Sequence, residues 1–193
     1  MRYAQIRSMD ISNGRGIGAS LFVQGCDNKC KGCFNEETWD FDSGNEWTDD
    51  IRHEFVDMVK KYKRKRVSIL GGEPLDLRNV RDVLDLILEL KEEISDIEIW
   101  VYTGYTINWI IEKFVSDPAK YIYLAGVINS IDVLVDGPFI LDKKDFSLKF
   151  RGSSNQRVIE ISKCAKLLIE DSQINKLSTK DIDNIITEFL LYT

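Results

Sequence analysis

Three of the four cysteines in this chain lie close together in a spacing that suits metal binding. Cys26, Cys30 and Cys33 fall in the segment GCDNKCKGCF, with the pattern C-x3-C-x2-C, whereas Cys164 lies far along the chain. A disulfide framework more often spreads its cysteines along the sequence. Thiolates concentrated in one short loop are typical of metal ligands. For the isolated Cys164 we expect the role of a small buried residue.

The spacing favours an iron–sulfur cluster over a zinc site. A structural zinc ion usually takes four ligands that arrive in two pairs, and the cysteine loop contains no histidine. Ferredoxin-type clusters use four cysteines at other spacings. Three thiolates can hold three irons of a [4Fe–4S] cluster and leave the fourth iron open to a substrate. We therefore predict that Cys26, Cys30 and Cys33 bind such a cluster; zinc and a purely structural role are the alternatives.

Strand and helix patterns alternate along the chain and predict an α/β fold. Apolar runs of strand length cover residues 19–24, 67–70, 97–102 and 132–135, and apolar residues at helical spacing mark helices near 51–62, 80–94 and 107–115. This alternation is typical of a mostly parallel sheet built from βαβ units. The loops after the carboxyl ends of parallel strands usually carry the chemistry. The cysteine loop and residues 71–74, 103–104 and 136–137 occupy such positions, so we expect them to meet.

The cysteine loop resembles the cluster-binding motif of the radical S-adenosylmethionine enzymes. An aromatic residue, Phe34, follows the third cysteine, GGEP occupies residues 71–74, TG occupies 103–104, and Asp136 ends a strand. Within that superfamily the chain is similar to the activating proteins of the anaerobic (class III) ribonucleotide reductase. The string RGSSNQR at residues 151–157 is the most specific sign, and the VDG at 135–137 and the short chain fit as well. The resemblance covers about residues 1 to 160.

This resemblance implies a fold, two cofactors and two partners. The fold is a partial, open (β/α) barrel. The open iron of the [4Fe–4S] cluster would bind S-adenosyl-L-methionine, and one-electron reduction would cleave it to methionine and a 5′-deoxyadenosyl radical. That radical would generate a glycyl radical on the large subunit of the anaerobic ribonucleotide reductase. Reduced flavodoxin or ferredoxin is the expected electron donor.

The resemblance also assigns site residues. The backbone of Gly71 and Gly72 would approach the methionine amino group, and Glu73 would fix their loop. The stretch Gly32, Cys33 and Phe34 would lie against the adenine. Hydrogen bonds to the ribose or the methionine end would come from Thr103 and Asp136. No side chain beyond the cluster ligands is expected to be catalytic.

Structural alternatives exist for each of these assignments. Residues 71–74 could form only a tight turn after a strand, and Thr103 and Asp136 could cap neighbouring backbone. The polar residues of the string at 151–157 could line the mouth of the site, meet the partner, or form a hydrogen-bonded turn between two strands. These polar residues are Arg151, Ser153, Asn155, Gln156 and Arg157.

Composition excludes several classes of function. The net charge of −6 argues against nucleic-acid binding, and no apolar run approaches the roughly 20 residues of a membrane span. The N-terminus has no apolar signal segment, so we expect a cytoplasmic protein. The single histidine, His53, lies on a predicted amphipathic helix, which argues against hydrolases that use a histidine base.

The length of 193 residues suits one domain. We expect a barrel domain over residues 1–160. Residues 161–193 should form a C-terminal helical extension packed on the same domain, with a helix starting near Ser178 and Thr179.

Three other functions stay open from the sequence. The chain could activate another glycyl-radical enzyme, such as one of the formate-lyase type. It could be a radical enzyme that acts on a small molecule without a protein partner. It could also be a non-catalytic metal-binding or electron-transfer module, although such a module has no use for the GGEP turn.

Overall fold

The computed structural model describes residues 1–161, 187 and 190–192, and within them one sheet of eight strands carries four helices. The strands are β1 (Arg2–Asp10), β2 (Gly18–Val23), β3 (Asn45–Glu46), β4 (Arg66–Gly71), β5 (Glu98–Tyr102), β6 (Val133–Asp136), β7 (Arg157–Glu160) and β8 (Leu190–Leu191). The helices are α1 (Asp49–Lys61), α2 (Val80–Glu93), α3 (Ile107–Ser116) and α4 (Ile122–Ser130).

The sheet is mixed, with a parallel centre and antiparallel edges. Its strand order is β3-β1-β2-β4-β5-β6-β7-β8. The four central strands β2, β4, β5 and β6 run parallel, which confirms the predicted α/β series. Strands β1 and β3 extend one edge and β7 and β8 the other, all in antiparallel pairs that the sequence analysis did not predict. The strand order shows an open sheet; the curvature of a partial barrel stays a prediction.

Local sequence signals set the ends of the helices. The side chain of Thr48 caps α1 by accepting a hydrogen bond from the Ile51 amide at 3.3 Å, and Thr106 caps α3 in the same way. Helix α3 ends at Ser116, shortly before Pro118, as a helix must when proline removes a backbone donor. Helix α4 was not predicted, because its apolar residues do not recur on one face.

The helices cover one face of the sheet with a continuous apolar core. Successive residues of a strand point to opposite faces, so each central strand contributes alternate residues to this core. Its fully buried members include Leu21, Ile69, Val101 and Leu134 from the strands and Phe55, Leu86, Ile110 and Val127 from the helices.

Loops cover the other face, and polar residues point into it. Near the amino ends of the parallel strands the buried guanidinium of Arg66 donates to the carbonyls of Asn13, at 2.6 Å, and Arg15, at 2.9 Å. A Cβ at Gly14 or Gly18 would lie 2.7 Å or less from this side chain. The glycines therefore allow the loop before β2 to close over Arg66.

Strand β8 extends the same sheet. Strand β8 pairs with β7, and Tyr192 packs edge-on against Phe150 with ring centroids 5.3 Å apart. The helix predicted to start near Ser178 and the isolated Cys164 lie outside the described residues. In the part that is described, no helix has the length and apolar character needed to cross a membrane.

Candidate functional site

A cavity of about 450 Å³ lies where the parallel strands β2, β4 and β5 end. The three cysteines line it together with Gly71, Gly72, Glu73, Thr103 and Phe34. These residues come from three separate loops of the sequence. The strand-end loops therefore meet as expected: the cysteine, GGEP and TG segments line one cavity, and so does Gly137 of the fourth segment.

Backbone contacts hold the cysteine loop at the end of β2. The Gly25 amide donates to the Thr38 carbonyl at 2.7 Å and the Cys26 amide to the Trp39 carbonyl at 3.0 Å. Gly25 has φ +94°, and a Cβ there would lie 1.9 Å from the ring of Phe41. Only glycine fits between the loop and this ring. The start of the loop is thus fixed by the segment that follows it.

The three thiols differ in burial. Cys26 is buried and burial raises the pKa of its thiol to about 11, while Cys30 and Cys33 are half-buried and burial also raises the pKa of Cys30. Since a thiol binds metal as the thiolate, metal binding has to displace these protons.

The donor set fits an iron–sulfur cluster. Three soft sulfur donors face one cavity, and each thiolate of a cluster binds a different iron. Within residues 1–161, 187 and 190–192, no three histidine, cysteine or carboxylate groups converge as ligands of a single metal ion. A cluster that spreads its irons does not require such convergence.

The turn after β4 lies directly against the cysteine loop. Gly71 has φ +104°, and a Cβ on Gly72 would lie 2.5 Å from the Gly25 carbonyl oxygen. The amides of Gly72 and Glu73 donate to the carbonyls of Val23 and Gly25 at 2.9 and 2.8 Å. The tight turn and the functional interpretation are therefore compatible, because the turn brings the glycine backbone to the cavity.

Glu73 connects three loops through its buried carboxylate. It accepts hydrogen bonds from the Thr103 hydroxyl at 2.7 Å, the Gly104 amide at 2.8 Å, the Leu75 amide at 3.0 Å and the Asn28 side chain at 3.1 Å. Burial raises the pKa of Glu73 to about 7, although these hydrogen bonds act in the opposite direction. The carboxylate thus holds the β4, β5 and cysteine loops in register.

Thr103 and Asp136 are both engaged with the protein itself. The Thr103 hydroxyl donates to Glu73 and accepts from the Tyr105 amide at 3.0 Å, although the residue also lines the cavity. The buried carboxylate of Asp136 accepts from the Ile107 amide and from Arg157, both at 2.9 Å, and it is not among the cavity residues. The backbone-capping alternative describes these contacts; a bond to a cofactor stays a prediction.

Phe34 and Gly32 occupy different positions relative to the cavity. Phe34 lines it, is 54% exposed and packs against Phe139 with ring centroids 5.1 Å apart. Gly32 has φ +71° and is not among the lining residues. Its ideal Cβ would be 3.1 Å from a methyl group of Leu141.

The string at 151–157 forms a hydrogen-bonded turn that also reaches the cavity. The Gln156 side chain accepts from the Gly152 amide at 2.8 Å and donates to the Gly137 carbonyl at 3.0 Å. Arg151, Gly152 and Gln156 line the cavity. Residues 151–157 therefore form a turn and also line the mouth of the cavity, which were two of the alternatives for this string.

Sequence reasoning missed two connections between the cysteine loop and the β4–α2 loop. Asn28 bonds to Glu73, and Arg78 bonds to Asp27 and, at 2.8 Å, to Asp76. The Arg78 guanidinium also lies 3.3 Å from the centroid of the Phe41 ring. The position of Asn28 between two cysteines was a signal for its role, but nothing in the sequence around Arg78 shows its partners.

A known protein family and several named proteins are similar to most of this chain. A family described as a 4Fe-4S single cluster domain matches residues 12–159. The chain is 39% identical over 158 residues to the anaerobic ribonucleoside-triphosphate reductase-activating protein of Vibrio cholerae, which covers 81% of this chain and 96% of that protein.

The proteins of the same name from Escherichia coli K12 and enterobacteria phage T4 are 38% and 31% identical over 160 residues, which is 82% of this chain and 97% and 93% of theirs. The chain therefore belongs to the family of enzymes named anaerobic ribonucleoside-triphosphate reductase-activating proteins, and its residues 12–159 form a 4Fe-4S single cluster domain.

Proposed function

We propose that the chain generates a glycyl radical on an anaerobic ribonucleoside-triphosphate reductase by reductive cleavage of S-adenosylmethionine. The observation that carries this proposal is the cavity shared by Cys26, Cys30, Cys33 and the glycine turn, in a chain so similar to proteins named for activating that reductase. When bound, a reduced [4Fe–4S] cluster and S-adenosylmethionine would together supply the 5′-deoxyadenosyl radical that removes a hydrogen atom from a glycine Cα.

The protein itself would bind the cluster and S-adenosylmethionine, orient them and shield them. The three cysteines would hold the cluster as thiolates at the end of β2. Gly71 and Gly72, which carry no Cβ, leave backbone groups accessible for the methionine end of the cofactor. Glu73 keeps that turn against the cysteine loop, because its carboxylate receives donors from three loops.

Two aromatic rings form an apolar part of the cavity wall. Phe34 and Phe139 pack against each other there, and their rings offer an apolar contact for the adenine beside the backbone of Gly32 and Cys33. The predicted contacts of Thr103 and Asp136 with the ribose or the methionine end belong to the same proposal. Because both side chains already bond to the protein, their effect would come through the positions of Glu73 and α3 as well.

Two proteins complete the reaction. The large subunit of the reductase would present its glycine to the open side of the cavity. Reduced flavodoxin or ferredoxin would deliver the electron. The activity thus depends on access from outside, which an open sheet with a cavity at its strand ends provides.

An anaerobic reconstitution tests the proposal. Protein loaded with iron and sulfide, then given a strong reductant, S-adenosylmethionine and the reductase, should yield 5′-deoxyadenosine and a glycyl radical signal in electron paramagnetic resonance. Cys30→Ala should lose the cluster and both products, whereas the matched change Cys164→Ala should keep them. The absence of a glycyl radical on the reductase, with cluster and cofactor both present, would contradict the proposal.

The same experiment separates the alternatives. Radical formation only on a formate-lyase type enzyme would identify a different partner. 5′-Deoxyadenosine coupled to a small substrate without any protein would indicate a small-molecule enzyme. Zinc in the metal analysis, or a cluster that never cleaves S-adenosylmethionine, would indicate a metal-binding or electron-transfer module.

A further inference from the structure

Exposed apolar side chains gather along one rim of the cavity. Phe146 is 86% exposed, Phe34 is 54% exposed and Leu141 is 38% exposed. Phe146 and Phe34 both line the cavity. A large apolar group in water is unfavourable, and contiguous exposed apolar patches mark interaction sites.

These side chains form one connected surface, which we call the mouth patch: Phe34, Phe139, Leu141, Lys144 and Phe146. The rings of Phe34 and Phe139 pack at 5.1 Å, and the Lys144 ammonium lies 4.9 Å from the centroid of Phe34 and 4.6 Å from that of Phe146. Leu141 lies against the cysteine loop, because a Cβ built on Gly32 would be 3.1 Å from one of its methyl groups. The patch therefore extends from the cysteine loop to the loop between β6 and β7.

The patch contains one cation, Lys144, in a segment that also carries Asp142, Lys143 and Asp145. The Lys144 ammonium lies between two phenyl rings and forms no ion pair within the described residues. The whole chain, in contrast, carries a net charge of −6. The patch thus offers a positive charge flanked by aromatic rings on an otherwise acidic protein, which fits a carboxylate beside apolar side chains.

We propose that the mouth patch is the docking surface for the reductase, which places on it a segment with apolar side chains next to an acidic residue. This inference rests on the proposed function, because a glycine that belongs to another folded protein has to enter through the opening of the cavity. The protein that carries this glycine must then cover the rim. Phe146 is the anchor, as large aromatic side chains are in most protein interfaces.

Binding measurements with the full, cluster-loaded chain and the purified cognate reductase test the patch. Phe146→Ser should raise the dissociation constant at least about tenfold. Lys144→Glu should raise it by about threefold to tenfold and weaken its dependence on salt, since an attractive charge pair is lost. The controls are Leu88→Ser, which removes a half-exposed apolar side chain from α2, and Lys120→Glu, which reverses a lysine that lies beside the ring of Tyr121.

The outcomes separate this inference from the proposed function. Equal dissociation constants for Phe146→Ser and Leu88→Ser would overturn the patch, and so would wild-type protein that does not bind the reductase. Thermal unfolding of Phe146→Ser should match the wild type, because an exposed side chain contributes little packing; a lower midpoint would also overturn the patch. Wild-type protein that binds through the patch but leaves no glycyl radical would count against the proposed function alone.

Discussion

The two faces of the sheet are built from alternate residues of the same strands, yet they differ in kind. On the helix side, Leu21, Ile69 and Val101 pack into a continuous apolar core with no exposed surface. On the loop side, the neighbouring positions hold Ser20 and Ser68, together with the buried Arg66. The first face is filled by helices, whereas the second leaves the cavity that contains the cysteines.

The loop side of the sheet buries polar side-chain atoms that have no hydrogen-bond partner among the described residues. The indole nitrogen of Trp100 and the hydroxyl of Tyr102, both from β5 on the loop side, are buried without a hydrogen-bond partner in the part of the chain that is described. Such groups lower stability. The helix-side core has one as well, the indole nitrogen of Trp47, while its central strand positions Leu21, Ile69 and Val101 are purely apolar. We infer that the helix side supplies most of the folding free energy, and that the loop side holds its shape through hydrogen bonds around the site.

The largest expected effect is a cavity on the helix side. Leu86→Ala removes a side chain with no exposed surface from the centre of α2, and we expect the free energy of unfolding to fall by about 3 kcal/mol. Chemical denaturation of the apo protein measures this value. Leu88→Ala on the same helix is the control, because Leu88 is 50% exposed and should cost less than about 0.5 kcal/mol. Equal losses would contradict the assignment of the core to this face.

The next effect is a pH dependence that comes from the loop side. Burial raises the pKa of Glu73 from 4.5 to about 7, so the folded protein binds more protons than the unfolded chain between these values. Stability should therefore fall as pH rises through this range and level off above pH 7, by about 3 kcal/mol in total. Urea titrations of the apo protein at several pH values between 5 and 8 measure it.

Glu73→Gln separates the charge from the hydrogen bonds. The amide cannot ionise, so the variant should lose the fall in stability between pH 5 and 7 that we assign to Glu73. At pH 5 the protonated carboxyl of the wild type still has two oxygens that can accept, whereas the NH2 group of the amide only donates and would face two of the four donors. The variant should therefore be less stable than the wild type at pH 5. Glu54→Gln on the exposed side of α1 serves as the control and should leave the pH profile unchanged. A Glu73→Gln profile that follows the wild type would exclude Glu73 as its source.

The contrast between the faces also explains how much could be predicted from the sequence. The helix side has strong periodic patterns, so the central strands and α1, α2 and α3 were predicted close to their observed bounds. The three-cysteine spacing and the GGEP turn predicted part of the cavity lining, because these segments come directly after strands whose order follows from βαβ units. The predicted site residues Gly32 and Asp136 are not among the lining residues.

Other features depend on contacts between distant residues. Strands β1 and β7 have half-polar patterns, and β7 pairs with β6 through Asp136 and Arg157, which are neighbours only in the fold. The engagement of Thr103 by Glu73 could not be predicted either, because the donor and the acceptor lie thirty residues apart. Pairings of this kind have no periodic signature in the sequence.

The smallest effect concerns the connection between the cysteine loop and the rest of the loop side. Arg78 bonds to Asp27 and Asp76 and stacks on Phe41, but its side chain is half exposed, and exposed ion pairs contribute little. Arg78→Gln should therefore lower the free energy of unfolding by only about 1 kcal/mol or less. Because one of its partners, Asp27, lies next to Cys26, hydrogen exchange at residues 27–29 of the apo protein should accelerate more than exchange in α2.

The control is Arg81→Gln, which removes an arginine with no carboxylate partner among the described residues and should leave both exchange rates unchanged. A uniform change of exchange across the sheet would mean that Arg78 stabilises the whole fold rather than this loop.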